Sequence, residues 1–223
     1  MKGIVFSFKK TDAGAGSIRR IKISDVRYFF KRYGVKVMFV SLILFGLAAG
    51  SVYAQNADSE MLASLDFLFT TNLKSRMTQN FVGTFCACFA SDFIFLFAVY
   101  LFGMSPWGIP AMSFAALFKG FGTGITAGYL FITNQLSGVG FYLLILLPGT
   151  FLFCIALVLF STSAFYFSKR MFFATVSKTA SKFSLRDGFS ILSSRFLTAL
   201  IMTFCAALLD TALWTLFAGS FKF

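Results

Sequence analysis

Long apolar runs separated by short polar stretches set the plan of this chain. Apolar character is nearly unbroken over Val35–Ala54, Phe81–Phe102, Ala111–Phe131, Val139–Phe167 and Phe196–Gly219. At about 1.5 Å per residue, each run is long enough as a helix to cross a hydrocarbon layer of about 30 Å. The pattern predicts an all-α polytopic membrane protein with about five transmembrane helices, spanning residues 35–223. The fourth run is the longest and must tilt, bend or project from the bilayer. Pro148-Gly149 supplies a bend, because proline removes a backbone donor and glycine loosens the turn. Between the first two runs, Leu62, Leu65, Phe69, Leu73 and Met77 recur at helical spacing in polar surroundings. They predict an amphipathic helix over 59–79, lying at the outer interface as a steering element or as a surface for partners.

The polar stretches differ in charge. Residues 1–36 carry a net +8, residues 55–80 a net −1 and residues 168–195 a net +5. The first 34 residues form a basic cytoplasmic arm, with a hinge at Thr11–Ser17 and basic and aromatic residues interleaved over Ile18–Tyr33. That arm either lies on the anionic inner leaflet or serves only as topogenic charge. With five spans, the two basic segments fall on one side, so the positive-inside rule puts the N-terminus in the cytoplasm and the C-terminus outside. Val52-Tyr53-Ala54 could pass as a signal-peptidase site, but the polar stretch before the first run is long for a signal. An uncleaved anchor is expected. Ser184 followed by Asp187 resembles a capping box that starts the helix of the fifth span.

Composition agrees with a bilayer environment. Of 223 residues, 58% are hydrophobic and 34 are phenylalanine, and mean hydropathy is +0.82. A soluble domain sits nearer 45–50% apolar. The net charge of +12 would suggest nucleic acid in a soluble protein, but here it flanks apolar spans, so no nucleic-acid partner is expected.

Catalytic chemistry has little to work with. The chain has no histidine, and Glu60 is its one glutamate, so the commonest general base and metal ligand are missing. No catalytic, cofactor-binding or metal-binding residues are assigned. Cys86, Cys88, Cys154 and Cys205 all fall in spans and are read as small buried hydrophobes. Three ionisable residues lie deep in the apolar runs: Asp92, Lys119 and Asp210. Such residues are costly and are usually paired or functional. Asp92 and Lys119 fall at matched depths, roughly 16 Å and 19 Å from the outer ends of their spans by helical rise. Their spans are joined by a tight turn. Asp92 therefore pairs best with Lys119, with Asp210 within reach of the lysine stem. A proton or ion relay is the functional alternative.

The third run carries the most specific pattern. Gly120, Gly124 and Gly128 follow Ala116 at four-residue intervals, which places all four on one helix face. Small residues at this spacing let membrane helices approach closely, so the face is read as a packing groove. The run is entered through a turn marked by Ser105, Gly108 and Pro110.

That turn, followed by Lys119-Gly120 and then Gly124 and Gly128, resembles the stage II sporulation protein M family of integral membrane proteins. The resemblance extends from about Val35 to Arg170. It implies a non-catalytic scaffold in a bacterial cell membrane that anchors peptidoglycan-degrading enzymes at the septal membrane during engulfment. The partners it implies are a cell-wall amidase and a lytic transglycosylase, besides membrane lipid. A homo-oligomer stays open. The rival reading is a small permease-like subunit of a transporter working with a soluble ATPase.

Overall fold

The computed structural model describes residues 23–56, 80–176 and 185–217. The chain divides into two units, Met1–Gly34 and Val35–Phe223. The expected amphipathic helix over 59–79, the hinge at Thr11–Ser17 and Ser184 of the expected capping box lie outside the described residues.

Every described element is helical: α1 (Ile23–Asn56), α2 (Phe81–Gly103), α3 (Ile109–Phe141), a π-helical turn (Tyr142–Leu146), α4 (Leu147–Val176) and α5 (Leu185–Phe217). Among the described residues, five segments are long and apolar enough to cross a membrane: Tyr33–Asn56, Phe81–Gly103, Ile109–Ile132, Gln135–Val176 and Arg186–Phe217. The described residues form a five-span, all-α polytopic membrane protein.

Two boundaries differ from the sequence expectation. The polar stretch at 132–138 is not an open loop. Two helices meet there across a kink at Gln135, whose φ of 48° and ψ of −128° are non-helical. The fourth span therefore starts at once and runs to Val176, well past Phe167. The fifth helix begins at Leu185, next to the start expected at Ser184 and about three turns before the apolar run, so Arg186, Asp187 and Arg195 are helical. Hydropathy marks where a span becomes apolar, and the helices continue beyond it.

The bend expected at Pro148-Gly149 takes a particular form. Pro148 has no N–H to offer the Leu144 carbonyl. The irregularity sits just upstream, where the π turn lets Leu147 N–H reach the Tyr142 carbonyl five residues back. The Thr150 hydroxyl then donates to the carbonyls of Leu146 and Leu147 at 2.9 and 3.0 Å.

The turn between α2 and α3 is built as its sequence requires. Ser105 N–H donates to the Phe102 carbonyl, and Gly108 N–H to the Ser105 carbonyl. A Cβ at Gly108 would overlap the Phe102 carbonyl oxygen, so only glycine closes the turn. Pro110 occupies the first turn of α3, where its missing N–H costs nothing. The fully buried Ser168 of α4 donates to the Ser105 carbonyl at 2.7 Å and pins the turn from outside.

These contacts order the ends of the bundle. Ser168 meets the α2–α3 turn, Phe39 meets Phe165 edge-on at 6.4 Å, and Met104, Met171, Arg186 and Phe189 share one shallow groove. Residues 35–39 of α1, the end of α4 and the start of α5 are thereby gathered at one end, with Lys36, Lys169, Arg170 and Arg186. At the other end Leu130, Phe141 and Trp214 cluster without charge. Aromatic contacts fill much of the space between. Phe85, Phe89, Phe93 and Phe97 stack along α2 at 5.5–6.0 Å, with Phe204 of α5 edge-on to the first two.

Candidate functional site: two faces of α3

Gly120, Gly124 and Gly128 all turn toward α1, and they meet backbone. A Cβ at Gly120 would overlap the Ile43 carbonyl oxygen, and one at Gly124 the Leu47 carbonyl oxygen. At Gly128 it would come within 2.8 Å of the Ala54 Cβ. The fit is reciprocal. A Cβ at Gly46 would strike the Leu117 carbonyl oxygen, and one at Gly50 the Phe121 carbonyl oxygen. Gly46, Gly50 and Ala54 thus form a second small-residue ladder that faces the first. The Ser51 hydroxyl bridges the helices, donating to the Gly124 carbonyl at 3.2 Å while also reaching its own Leu47 carbonyl at 2.9 Å. Ala116, one turn before Gly120, is fully buried. Val52-Tyr53-Ala54 is helical here, with Ala54 packed on Gly128.

The opposite face of α3 is polar. Lys119 Nζ donates to Asp92 Oδ1 at 2.6 Å, an ion pair between α3 and α2. Both side chains are shielded, at 8% and 15% exposure. Phe95 and Phe153 place ring centroids 5.3 and 4.9 Å from the same ammonium, close enough for cation–π attraction. One turn from Asp92, the buried Cys88 donates its S–H to Asp210 Oδ2 of α5 at 3.3 Å. Gly149 allows α4 to close on this point, because a Cβ there would lie 2.8 Å from the Asp210 Cβ.

These side chains surround one cavity, with about 50 Å³ available to water centres. A single water needs roughly 10–15 Å³ by this measure, so the space admits a few. Asp92, Lys119 and Asp210 line it together with Ser91, Thr123, Thr126, Tyr142 and Thr150. The sequence-predicted charges therefore meet in one place, and Gly122, off the ladder, lines the cavity instead. On the lipid side, an apolar groove of about 400 Å³ runs between Val40–Leu47 of α1 and Leu147–Leu159 of α4. It shares Thr123, Tyr142 and Thr150 with the cavity as a common wall.

Sequence reasoning did not single out Gly46, Gly50, Ser168 or the hydroxyls around the cavity. The α1 ladder had a visible signal in its four-residue spacing. The hydroxyls had none, since Thr123, Thr126 and Thr150 each also donate to a carbonyl of their own helix, as threonine commonly does in a membrane helix. The cysteines need correction. Only Cys88 is buried, Cys154 is partly so, and Cys86 and Cys205 face outward. Residues two apart on a helix point to different sides, so Cys86 faces away when Cys88 faces in.

Five apolar helices, one backbone-packed pair and a charge cluster enclosed at mid-span define a polytopic helical membrane protein. A family model described as stage II sporulation protein M matches residues 37–214, and the chain belongs to that family. No curated protein and no solved structure matches the chain.

Proposed function

We propose that this protein is a non-catalytic membrane scaffold that holds peptidoglycan-degrading enzymes, an amidase and a lytic transglycosylase, at the septal membrane during engulfment. The observation that carries the reading is the α1–α3 interface. Five glycines on two helices bring backbone against backbone, and such an interface has no room to slide or open. Helices that move against each other around a midplane site are what a transporter needs. A cavity sized for a few waters also suits a scaffold better than passage of a solute. Partner docking falls to the segment between the first two spans, residues 57–79. The orientation that serves this role has the N-terminus and the basic bundle end in the cytoplasm and the C-terminus outside. A reporter active only after export, fused after Phe223, is then active, and the same reporter fused after Lys182 is silent. The reverse pattern ends the orientation.

The test of the role is co-purification of wall hydrolases from sporulating cells, measured beside protein abundance. Gly124→Leu lowers abundance and recruitment together. Asp92→Asn with Lys119→Met leaves recruitment intact wherever the protein accumulates. Wild-type protein that brings down no hydrolase, but does bring a soluble ATPase, overturns the scaffold in favour of a permease-like subunit.

A further inference from the structure

The glycine ladders hold α1 against α3, and a recess is left between α1 and α4. Its volume of about 400 Å³ falls among those of ligand pockets, about 300–1,000 Å³. The rim residues Val40, Leu44, Phe151 and Leu159 are exposed, so the recess opens sideways, toward hydrocarbon. Left empty, a recess of this size would lose dispersion contacts along its whole wall, and an apolar wall does not hold water. A hydrocarbon chain is the filler that such a wall accepts.

Toward the basic end the recess stops where Phe39 meets Phe165 edge-on at 6.4 Å. Beyond that contact the same face of α4 changes character. Leu159, Tyr166 and Arg170 stand at i, i+7 and i+11, and so do Val158, Phe165 and Lys169, which places both rows on the recess side of the helix. Tyr166, Lys169 and Arg170 are exposed. Side chains on a helix lean toward its N-terminus, so these two cations lean back along α4 toward the recess. From Arg170 to Leu159 is about 16 Å by helical rise, close to the half-thickness of the hydrocarbon layer, about 15 Å. A lipid with its headgroup at Arg170 therefore reaches the upper recess, between Val40 and Leu44 of α1 and Val158 and Leu159 of α4. Basic residues beside a gap between membrane helices are the arrangement that binds anionic headgroups.

We propose that the α1–α4 recess and the Lys169–Arg170 pair form one binding site for an anionic phospholipid, with an acyl chain in the recess and the headgroup phosphate at the two cations. The site goes beyond the scaffold reading and does not depend on it, because it requires neither hydrolase recruitment nor a particular orientation of the termini.

The experiment places the full chain in nanodiscs of equal parts phosphatidylglycerol and phosphatidylcholine with identical acyl chains. Native mass spectrometry then counts the lipids that each released chain keeps. Wild-type protein is expected to keep one lipid. A basic side chain near an anionic lipid gives about a fivefold preference, so two should favour phosphatidylglycerol on the order of twentyfold. Lys169→Gln with Arg170→Gln should keep a lipid but bring the preference close to one. Leu44→Trp with Leu159→Trp fills the recess and should abolish retention with both cations in place. All four are exposed side chains, so both variants should fold, which their unfolding curves in detergent check. Wild-type protein that keeps the two lipids equally overturns the proposal by itself, whatever the variants do. A preference that survives the loss of both cations overturns the headgroup site, and retention that survives the tryptophan pair overturns the recess as the place of the chain.

Discussion

One face of α3 offers Gly120, Gly124 and Gly128 to the backbone of α1, and the other offers Lys119 and Thr126 to a polar cavity. Both faces hold the helix within the bundle, and neither can use the hydrophobic effect, since lipid is as apolar as the helices. The glycine face relies on close approach. Its strength is many small dispersion contacts, and its weakness is size, because any added atom meets a carbonyl that cannot move out of the way. The polar face relies on charge. It surrounds a small void, so it tolerates modest changes in size, and its weakness is any change in the count of charges. Substitutions can therefore be sorted by which property they alter.

The largest effect should come from charge. Lys119→Met takes away the ammonium and leaves the shielded Asp92 carboxylate without its ion-pair partner. Removing one partner of a buried pair costs about 3–5 kcal/mol. Thermal unfolding in detergent and abundance in membranes should both fall sharply. Replacing Asp92 and Lys119 together by leucine removes both charges of the pair and should recover much of the loss. A double variant as poor as the sum of its two single variants would show that the two charges act independently, against the 2.6 Å contact between them.

Next should come size. Gly124→Leu drives a side chain into the Leu47 carbonyl, and Gly50→Leu drives one into that of Phe121. Overpacking costs about 1–3 kcal/mol where neighbours can adjust, and a helix backbone adjusts poorly. Since both changes push apart the same two helices, their combination should cost less than the sum. Additive losses, read from detergent unfolding curves, would mean that each glycine packs against something of its own.

The contrast between the faces also explains what the sequence disclosed. A four-residue repeat of small residues is a property of one helix, so the α3 ladder could be read before its partner was known. The partner ladder, Gly46, Gly50 and Ala54, is equally periodic, but periodicity within one helix does not say which other helix it faces. Charges stand out in apolar runs, and matched depth with a short turn was enough to suggest that Asp92 and Lys119 meet. The cavity could not be read, because it is assembled from four separate segments whose threonines also bond their own backbone. The break at Gln135 falls inside the polar stretch 132–138 that separates the third and fourth runs, but its form was not legible. It uses neither proline nor a positive-φ glycine, and the two helices meet directly at Gln135. The end of the fourth helix lies past the apolar run because basic residues, Lys169 and Arg170, continue it.

The smallest effect should come from the one hydrogen bond that crosses the glycine face. Ser51 donates to the Gly124 carbonyl at 3.2 Å, a long contact, and the same hydroxyl has its own Leu47 carbonyl at 2.9 Å. Both acceptors are helix carbonyls that already receive backbone bonds, so losing the hydroxyl orphans neither. Hydrogen bonds between membrane helices average about 0.6 kcal/mol, because the separated helices find partners as well. Alanine fills nearly the same space at this position and keeps the backbone approach. Ser51→Ala should therefore shift unfolding only slightly, well below Gly124→Leu measured in the same detergent. If instead Ser51→Ala costs as much as Gly124→Leu, the hydroxyl and not the close approach of backbones holds α1 to α3. The division of α3 into a face ruled by size and a face ruled by polar chemistry would then fail.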